Sequence, residues 1–391
     1  MAWILLICSH IVALLDMRTV RLISSNIPTR KRILIALLFL DFLPFTWMGI
    51  SLLFWRDNPT WMTPISMWLQ FLYMNLVIAR GPALLLYVLS RNRVIHTVGI
   101  ILSISIISLF IYSTTSTRTD YQIKHITLHS ERLPVAFDGY HIVQISDLHI
   151  GAMVNAESEL QQIVALCNAE QADLLAFTGD LIDIRSEEIT QPITATLSKL
   201  KARDGVYAVT GNHDMGVYVR DSLNITYDIT TARVIAAEQA MGWHTLDNTT
   251  RYIRRDKDSI SVTGISFDVA LQEKRHSSKL PDINIKRAYK DVPSDIFNIT
   301  LTHIPQHWDE IVQDSLVDVT LAGHIHAMQM KLPIGERGIS PSQIKYKRWS
   351  GLYEQQGRWL YINDGIGYGM YPMRIGARPE ITVIELKHRS K

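Results

Sequence analysis

Hydrophobic and polar positions divide the chain into two unlike parts. Up to residue 115 the apolar residues form long runs, roughly Ala2–Leu15, Ile33–Phe54, Ile65–Leu89 and Val94–Ser113. A bilayer's hydrocarbon core takes about 20 apolar residues per helix. The second and fourth runs meet that length, the third meets it if Gly81-Pro82 kinks it or lies near one end, and the first is shorter. These runs predict an all-α transmembrane region of about four helices over 1–115. Met1-Ala2-Trp3-Ile4 offers neither the basic start nor the small-residue cleavage site of a signal peptide.

From about Tyr121 the pattern changes to short apolar runs closed by Asp, Gly, Asn or His. His141-Ile-Val-Gln-Ile-Ser146 reads as a buried strand followed by Asp147-Leu148-His149. Glu157–Glu170 carries apolar residues at helical spacing, and Leu174-Leu-Ala-Phe177 is strand-like and ends in Thr178-Gly179-Asp180. A helical stretch over Ile193–Lys201 precedes Val206-Tyr-Ala-Val209, which leads to Gly211-Asn212-His213-Asp214. Ile299-Thr-Leu301 leads into His303, and Val317–Leu321 into Gly323-His324-Ile325-His326. Alternating strands and helices predict an α/β layering with polar clusters at strand ends, where open α/β sheets place their sites. Residues 216–250 and 270–295 read as polar surface insertions, and 331–358, rich in Gly, Pro, Ser and Lys, as a long excursion. Trp359-Leu-Tyr-Ile362 and Ile381-Thr-Val-Ile-Glu-Leu386 are strand-like. The second domain is therefore 116–391.

Composition sharpens this division. Hydrophobic residues make up 47% of the 391 and charged residues 19%, which excludes a disordered chain. The net charge of +2 hides a split: residues 1–115 hold nine Lys/Arg against three Asp/Glu, while the remainder is mildly acidic. No basic face for nucleic acid is evident, so nucleic-acid binding is not expected. Two cysteines, Cys8 and Cys167, rule out a disulfide framework and a Cys-based zinc site. Loop charges set the orientation: Arg18, Arg21, Arg30, Lys31 and Arg32 in the first loop, Arg56 beside Asp57 in the second, Arg91 and Arg93 in the third. The positive-inside rule makes loops one and three cytoplasmic and the C-terminal domain extracytoplasmic. Asp41, Arg80 and His96 are too few for a transport path and read as interfacial or locally paired.

The strand-end residues are Asp147, His149, Asp180, Asn212, His213, His303, His324 and His326. Carboxylate and imidazole without thiolate suit Mn, Fe, Zn or Ni. Seven ligands exceed one tetrahedral site and match two divalent ions, with a carboxylate such as Asp180 able to bridge ions about 3.5–4 Å apart. Such a pair neutralises phosphate oxygens and turns a bridging water into hydroxide, and a histidine off the metals is the natural proton donor. Singly, Asp147 reads equally as a cap, Asn212 and Asp214 as turn formers and His303 as a core histidine; five clusters in order, each after a strand, outweigh those readings. His125, His129, His141, His244, His276 and His307 are read as structural. Arg374 and Arg378 either touch phosphate or pair with Glu380 or Asp364.

In order and approximate spacing, Asp147-Leu-His149, Gly179-Asp180, Gly211-Asn212-His213-Asp214, His303 and Gly323-His324-Ile-His326 resemble the calcineurin-like metallophosphoesterases, in particular membrane-associated or exported bacterial members. Ile362-Asn-Asp-Gly365-Ile-Gly367, Pro372-Met-Arg374 and Arg378-Pro-Glu-Ile381 resemble that subgroup's ending. The likeness covers roughly 138–386 and leaves the apolar helices outside it. It implies a four-layer αββα sandwich, one metal on Asp147, His149, Asp180 and His326, and a second on Asp180, Asn212, His303 and His324. His213 is then the general acid and Asp214 the residue that orients it. The wall departs from the pattern: Ile325 stands where relatives carry Thr, and Ala327-Met328 where they carry Gly-Gly. After Asp147-Leu-His149, Gly151-Ala152-Met153 likewise replaces the more usual Gly-Ser or Gly-aromatic start.

Together these readings predict a membrane-anchored binuclear-metal hydrolase of phosphate mono- or diesters in a bacterial cytoplasmic membrane. An anchor is compatible with a lipid-linked substrate. Two other readings stay open at this level: a cytoplasm-facing pyrophosphatase of a UDP-diacylglucosamine-type lipid precursor, and an inactive metal-binding membrane sensor.

Overall fold

A computed structural model describes residues 2–23, 25–54, 57–219, 227–266, 283–313, 316–335, 337–369 and 371–390. Arg56 and His276 lie outside them. The chain forms two units, Met1–Ser116 with Met370–Met373, and Thr117–Gly369 with Arg374–Lys391.

The first unit is helical: α1 (Ala2–Ile23), α2 (Ile27–Asp41), α3 (Leu43–Phe54), α4 (Met62–Tyr73), α5 (Gly81–Leu89) and α6 (Arg93–Thr115). Asn26 caps α2 by accepting the Thr29 N–H at 3.0 Å, and Asn92 caps α6 by accepting the Val94 N–H at 2.8 Å. Pro44 lacks an N–H and crowds the Leu40 carbonyl, and the second apolar run bends by 69° between α2 and α3. The third run stays continuous over Met62–Leu89. Its Pro82 sits at the start of α5, and a π-helical turn over Met74–Ile78 absorbs the irregularity before it. Among the described residues, Met62–Leu89 and the helix from Arg93 are long and apolar enough to cross a membrane, and α2–α3 makes a third if it is one span. Of the four spans expected, the remaining one is helical as α1, with side chains 1–5 outside the described residues.

Charge inside this unit is paired. Arg80 donates to Asp16 at 2.5 Å and also to Asp41, and both carboxylates are buried. His96 Nε2 lies 2.7 Å from the Ser90 carbonyl.

Two six-stranded sheets build the second unit. The strands of the first are β1 (Gln122–Ser130), β2 (Tyr140–Ile145), β3 (Leu174–Phe177), β4 (Val206–Ala208), β5 (His244–Thr245) and β12 (Glu380–His388), ordered β1-β12-β2-β3-β4-β5. Only the β12–β2 pair is antiparallel. The second sheet holds β6 (Thr249–Arg255), β7 (Asp258–Ile265), β8 (Phe297–Thr302), β9 (Val319–Ala322), β10 (Gly351–Gln355) and β11 (Arg358–Ile362), ordered β10-β11-β9-β8-β7-β6.

Strand alternation sorts the side chains into layers. Ile142, Leu174 and Ala176 of the first sheet meet Ile260, Ile299, Leu301, Val319 and Leu321 of the second in a shared core. The neighbouring Val143, Leu175 and Phe177 point the other way, onto α7 (Ala156–Ala169) and α8 (Gln191–Leu197). Leu360 and Ile362 face α10 (Ile285–Ala288) and α11 (Trp308–Ile311) on the outside of the second sheet. The result is an αββα sandwich. The stretch 216–250 is more than surface: it carries α9 (Tyr227–Ala240) and β5, and Val234, Trp243 and Leu246 are buried. Parallel β2, β3 and β4 end side by side, as do β8 and β9, and Gln144 ties the two groups by donating to Thr178 Oγ1 and the Ala322 carbonyl.

The Arg80 cluster yields a stability test. Arg80→Leu strands two buried carboxylates and should cost about 3 kcal/mol or more, read as a lower thermal midpoint in detergent; adding Asp16→Asn and Asp41→Asn should recover most of it. A single variant as stable as the parent would refute the pairing.

Candidate metal centre

Five strand ends converge. Asp147 and His149 follow β2, Asp180 follows β3, Asn212 and His213 follow β4, His303 follows β8, and His324 and His326 follow β9. The structure brings all seven expected ligands, and the expected general acid, to one place.

The expected ligands fall into two groups, beside a third cluster of His149, Asp183 and His213. In the first, His326 Nε2 lies 2.8 Å from Asp147 Oδ1, and His149 Nε2 is 3.2 Å from His326 Nε2 and 3.7 Å from Asp180. In the second, His303 Nε2 lies 3.0 Å from Asp180 Oδ2, 3.2 Å from Asn212 Oδ1 and 3.3 Å from His324 Nδ1. The donors of Asp147, His149 and His326 all fall within 4.8 Å of one another, as do those of Asp180, His303 and His324. Asp180 stands between the groups.

The donor set fits divalent metal. Facing imidazole nitrogens with two buried carboxylates leave lone pairs that only protons or cations can satisfy. His303 is also oriented for ligation: its Nδ1 donates to the Thr178 carbonyl at 2.7 Å, which turns Nε2 toward the centre. Backbone shape serves the same end. Asp147, His149, Asp180, His324 and His326 all have positive φ, between 46° and 76°. A Cβ on Gly211 would collide with Asp180 Oδ1, and one on Gly323 with Asp147 Oδ2, so these glycines admit the carboxylates. Ala327 and Met328, where the resembling family has glycines, keep left-handed backbone at φ 48° and 50°. Side chains therefore stand on this turn at backbone angles that glycine adopts most readily.

His213 and Asp214 are placed differently from one another. The His213 ring packs edge-on to His149 with centroids 4.5 Å apart, and its Nδ1 hydrogen-bonds the Asp183 carbonyl. The Asp214 carboxylate instead accepts N–H groups from Asp180, Leu181, Ile182 and Gly211. Asp214 was expected to orient His213 directly; its carboxylate is spent on the Asp180 loop, because four converging amides outcompete one ring. The ring is held by Asp183, whose Oδ1 is also 3.4 Å from His149 Nδ1. Sequence reasoning missed Asp183, although Asp180-Leu-Ile-Asp183 puts a second carboxylate three residues on. It also missed Tyr218, whose ring lies 4.4 Å from that of His213 and which no sequence signal marks. Arg374 is fully buried behind His326 and donates to the carbonyls of Gly367, Asp364 and Ala377, while Arg378 pairs with Asp120 at 2.7 Å. Glu380 pairs with Lys124. Among the described residues, none of the histidines read as structural joins a ligand group.

Comparison with known proteins agrees. A family model for calcineurin-like phosphoesterase matches residues 140–328. The chain is 31% identical over 265 residues to an uncharacterized metallophosphoesterase, YkuE, of Bacillus subtilis, covering 67% of this chain and 84% of that one. It is 25% identical to a second such protein of Bacillus subtilis, YkoQ, covering 73% of this chain and 98% of that one. It is 27% identical to a Danio rerio protein described as a transmembrane protein with metallophosphoesterase domain, covering 71% of this chain and 60% of that one.

Electrostatics of the metal-free centre make a prediction. Burial presses the His149 imidazole down, but Asp183, Asp180 and Asp147 outweigh it and lift it to about 9. His303, also opposed by burial, is lifted to about 9 by Asp180 and Asp147. Burial and the charge of His303 push His324 down to about 3. Raised histidines stabilise the metal-free fold fully below their ordinary 6.5 and lose that contribution as pH climbs through about 9. Chelator-treated protein should therefore lose thermal stability over that window, and apparent metal affinity should rise across it as protons leave. Calorimetry and metal titration at several pH values check both; pH-independent affinity would overturn the assignment.

Proposed function

Because the chain belongs to the calcineurin-like phosphoesterase family, we propose that it is a membrane-anchored hydrolase of phosphate esters working with two divalent ions. The convergence of Asp147, His149, Asp180, Asn212, His303, His324 and His326 around Asp180 carries this reading. Residues 1–115 act as the anchor and 116–391 as the catalytic domain. Arginines in the first and third loops favour an extracytoplasmic domain on a bacterial cytoplasmic membrane.

Bound divalent ions supply positive charge for phosphate oxygens and lower the pKa of water. Asp147, His149 and His326 form one face of the holder, and Asn212, His303 and His324 the other, with Asp180 shared. His213 supports the leaving oxygen. With Nδ1 donating to the Asp183 carbonyl, Nε2 is the nitrogen left to protonate the leaving oxygen, and it carries that proton only when the ring is an imidazolium. Burial lowers the His213 imidazole below its ordinary value, which makes the imidazolium a stronger acid and confines it to lower pH. Asp214 keeps the Asp180 loop in shape by taking its amides.

The test uses detergent-solubilised full-length protein loaded with Mn²⁺, against p-nitrophenyl phosphate and bis-p-nitrophenyl phosphate. His213→Ala should lower kcat by about 10²–10⁴-fold with metal content unchanged, and Asp180→Asn should lose both turnover and metal. The relative rates on the two esters rank mono- against diester. Metal-loaded protein inert on both would reject the proposal.

A further inference from the structure

The stretch after the last ligand is unusual in what it leaves uncovered. Leu332 is 56% exposed, Ile334 60%, Ile339 46% and Ile344 92%. Elsewhere in the sandwich unit the described, exposed large hydrophobics stand singly, as Val135, Val154, Tyr218, Ile229 and Tyr252 do. Scattered exposed apolar residues need no explanation, but several together on one projection do.

The projection is held in shape. Leu332 and Ile339 exchange backbone hydrogen bonds of 2.8 and 2.9 Å, closing a hairpin, and Ser340 Oγ donates to the Ala327 carbonyl at 2.7 Å. Trp349 is buried at its base with Ile325, Ala327 and Ala377, and Tyr346 packs against them. These contacts tie the hairpin to the turn that carries His326. The base of the hairpin thus adjoins the turn that carries His326.

Its charge is one-sided. Residues 331–349 hold Lys331, Arg337, Lys345, Lys347 and Arg348 against the single acidic Glu336. Lys331 is committed to Asp364 and Arg348 to Asp309. Lys345 and Lys347 are exposed and have no ion-pair partner among the described residues. Aliphatic side chains interleaved with lysines that lack a carboxylate partner, Lys345 stacking only on the Tyr346 ring at 5.0 Å, match an anionic bilayer surface, where the chains enter the acyl boundary and the ammonium groups meet headgroups. A bilayer is also the surface this chain is held to: six residues separate Thr115, the end of the last apolar helix, from Gln122 at the first strand.

We infer that the hairpin closed by Leu332 and Ile339, with the turn Pro341–Ile344 that follows it, inserts Leu332, Ile334, Ile339 and Ile344 into the surface of an anionic bilayer and opens the metal centre to phosphate esters carried on lipids. This rests on the phosphoesterase reading and narrows its substrate class. A phosphate anchored by acyl chains lies at headgroup depth, the level at which inserted isoleucines would hold the adjoining turn that carries His326.

The experiment places an environment-sensitive fluorophore at Ile334→Cys, Ile344→Cys and, as control, Lys257→Cys, in full-length protein carrying Cys8→Ser. The protein is reconstituted in phosphatidylcholine vesicles with and without phosphatidylglycerol, containing nitroxide-labelled acyl chains. Quenching at 334 and 344 but not at 257, stronger with phosphatidylglycerol and weakened by Lys345→Ala with Lys347→Ala, is the expected result. In parallel, Ile334→Asp with Ile344→Asp should reduce turnover of phosphatidic acid in vesicles about tenfold or more, leaving p-nitrophenyl phosphate turnover unchanged. Labels blind to the nitroxide lipid overturn the inference, as does an equal loss on both substrates. Labels that respond to protein density instead of lipid would assign the face to a second copy and likewise overturn it. Quenching in a protein inert on p-nitrophenyl phosphate would reject the esterase reading while leaving bilayer insertion standing.

Discussion

Everything at the centre depends on holding five ligand residues in a backbone conformation that L-amino acids avoid. Asp147, His149, Asp180, His324 and His326 sit in the left-handed region, and such residues cost about 1–3 kcal/mol each when the surroundings do not enforce them. The surroundings here enforce them several times over. The Asp214 carboxylate takes four amides of the Asp180 and Gly211 loops, the Gly367 amide donates to the Asp147 carbonyl, and the His324 amide donates to the Asp147 carboxylate. All of these ties but that of Gly211, which lies within the Asp214 loop, link loops from different strands, so no single loop can relax alone. That explains why the carboxylate next to His213 is turned toward backbone: the loop's shape is the more expensive thing to keep.

The same constraint sets the electrostatics. Left-handed turns at parallel strand ends aim the side chains inward, which buries Asp147 and Asp180 beside four imidazoles. Burial alone would neutralise both carboxylates. Asp147 is held well below the usual carboxylate range because His326 and His303 outweigh burial, and Asp180 because His303 and His213 do. The centre is therefore a set of anions waiting for positive charge. Protons fill the role when nothing better is present, and divalent ions displace them at higher pH.

Much of this was legible in the sequence, for a physical reason. Strand-end ligands are announced by a short apolar run stopping at Asp, Asn, His or Gly, and the runs ending at Ser146, Phe177, Val209, Leu301 and Leu321 all do so. What pairs with what across space was not legible. Asp214 adjoins His213 in sequence yet serves the Asp180 loop, while Asp183, thirty residues away, holds the ring. The stretch 216–250 looked like surface because α9 is amphipathic only weakly, and its burial comes from Val234, Trp243 and Leu246 meeting a sheet formed elsewhere. Membrane helices were visible as apolar length, but the bend at α2–α3 depended on how Pro44 met the Leu40 carbonyl.

The turn after His324 joins the two halves of the argument. Ala327 and Met328 hold left-handed backbone without the glycines that relieve it. A non-glycine residue in that conformation persists only where its side chain or carbonyl is tied down. The Ala327 side chain packs with Ile325 and Trp349, and its carbonyl accepts the Ser340 hydroxyl of the exposed hairpin. Strain at the ligand turn is thus contained by the base of the projection that leaves Ile334 and Ile344 uncovered. The Ser340 hydrogen bond and the Trp349 packing fix the hairpin's base against the turn that carries His326, while Ile334 and Ile344 lie beyond those ties.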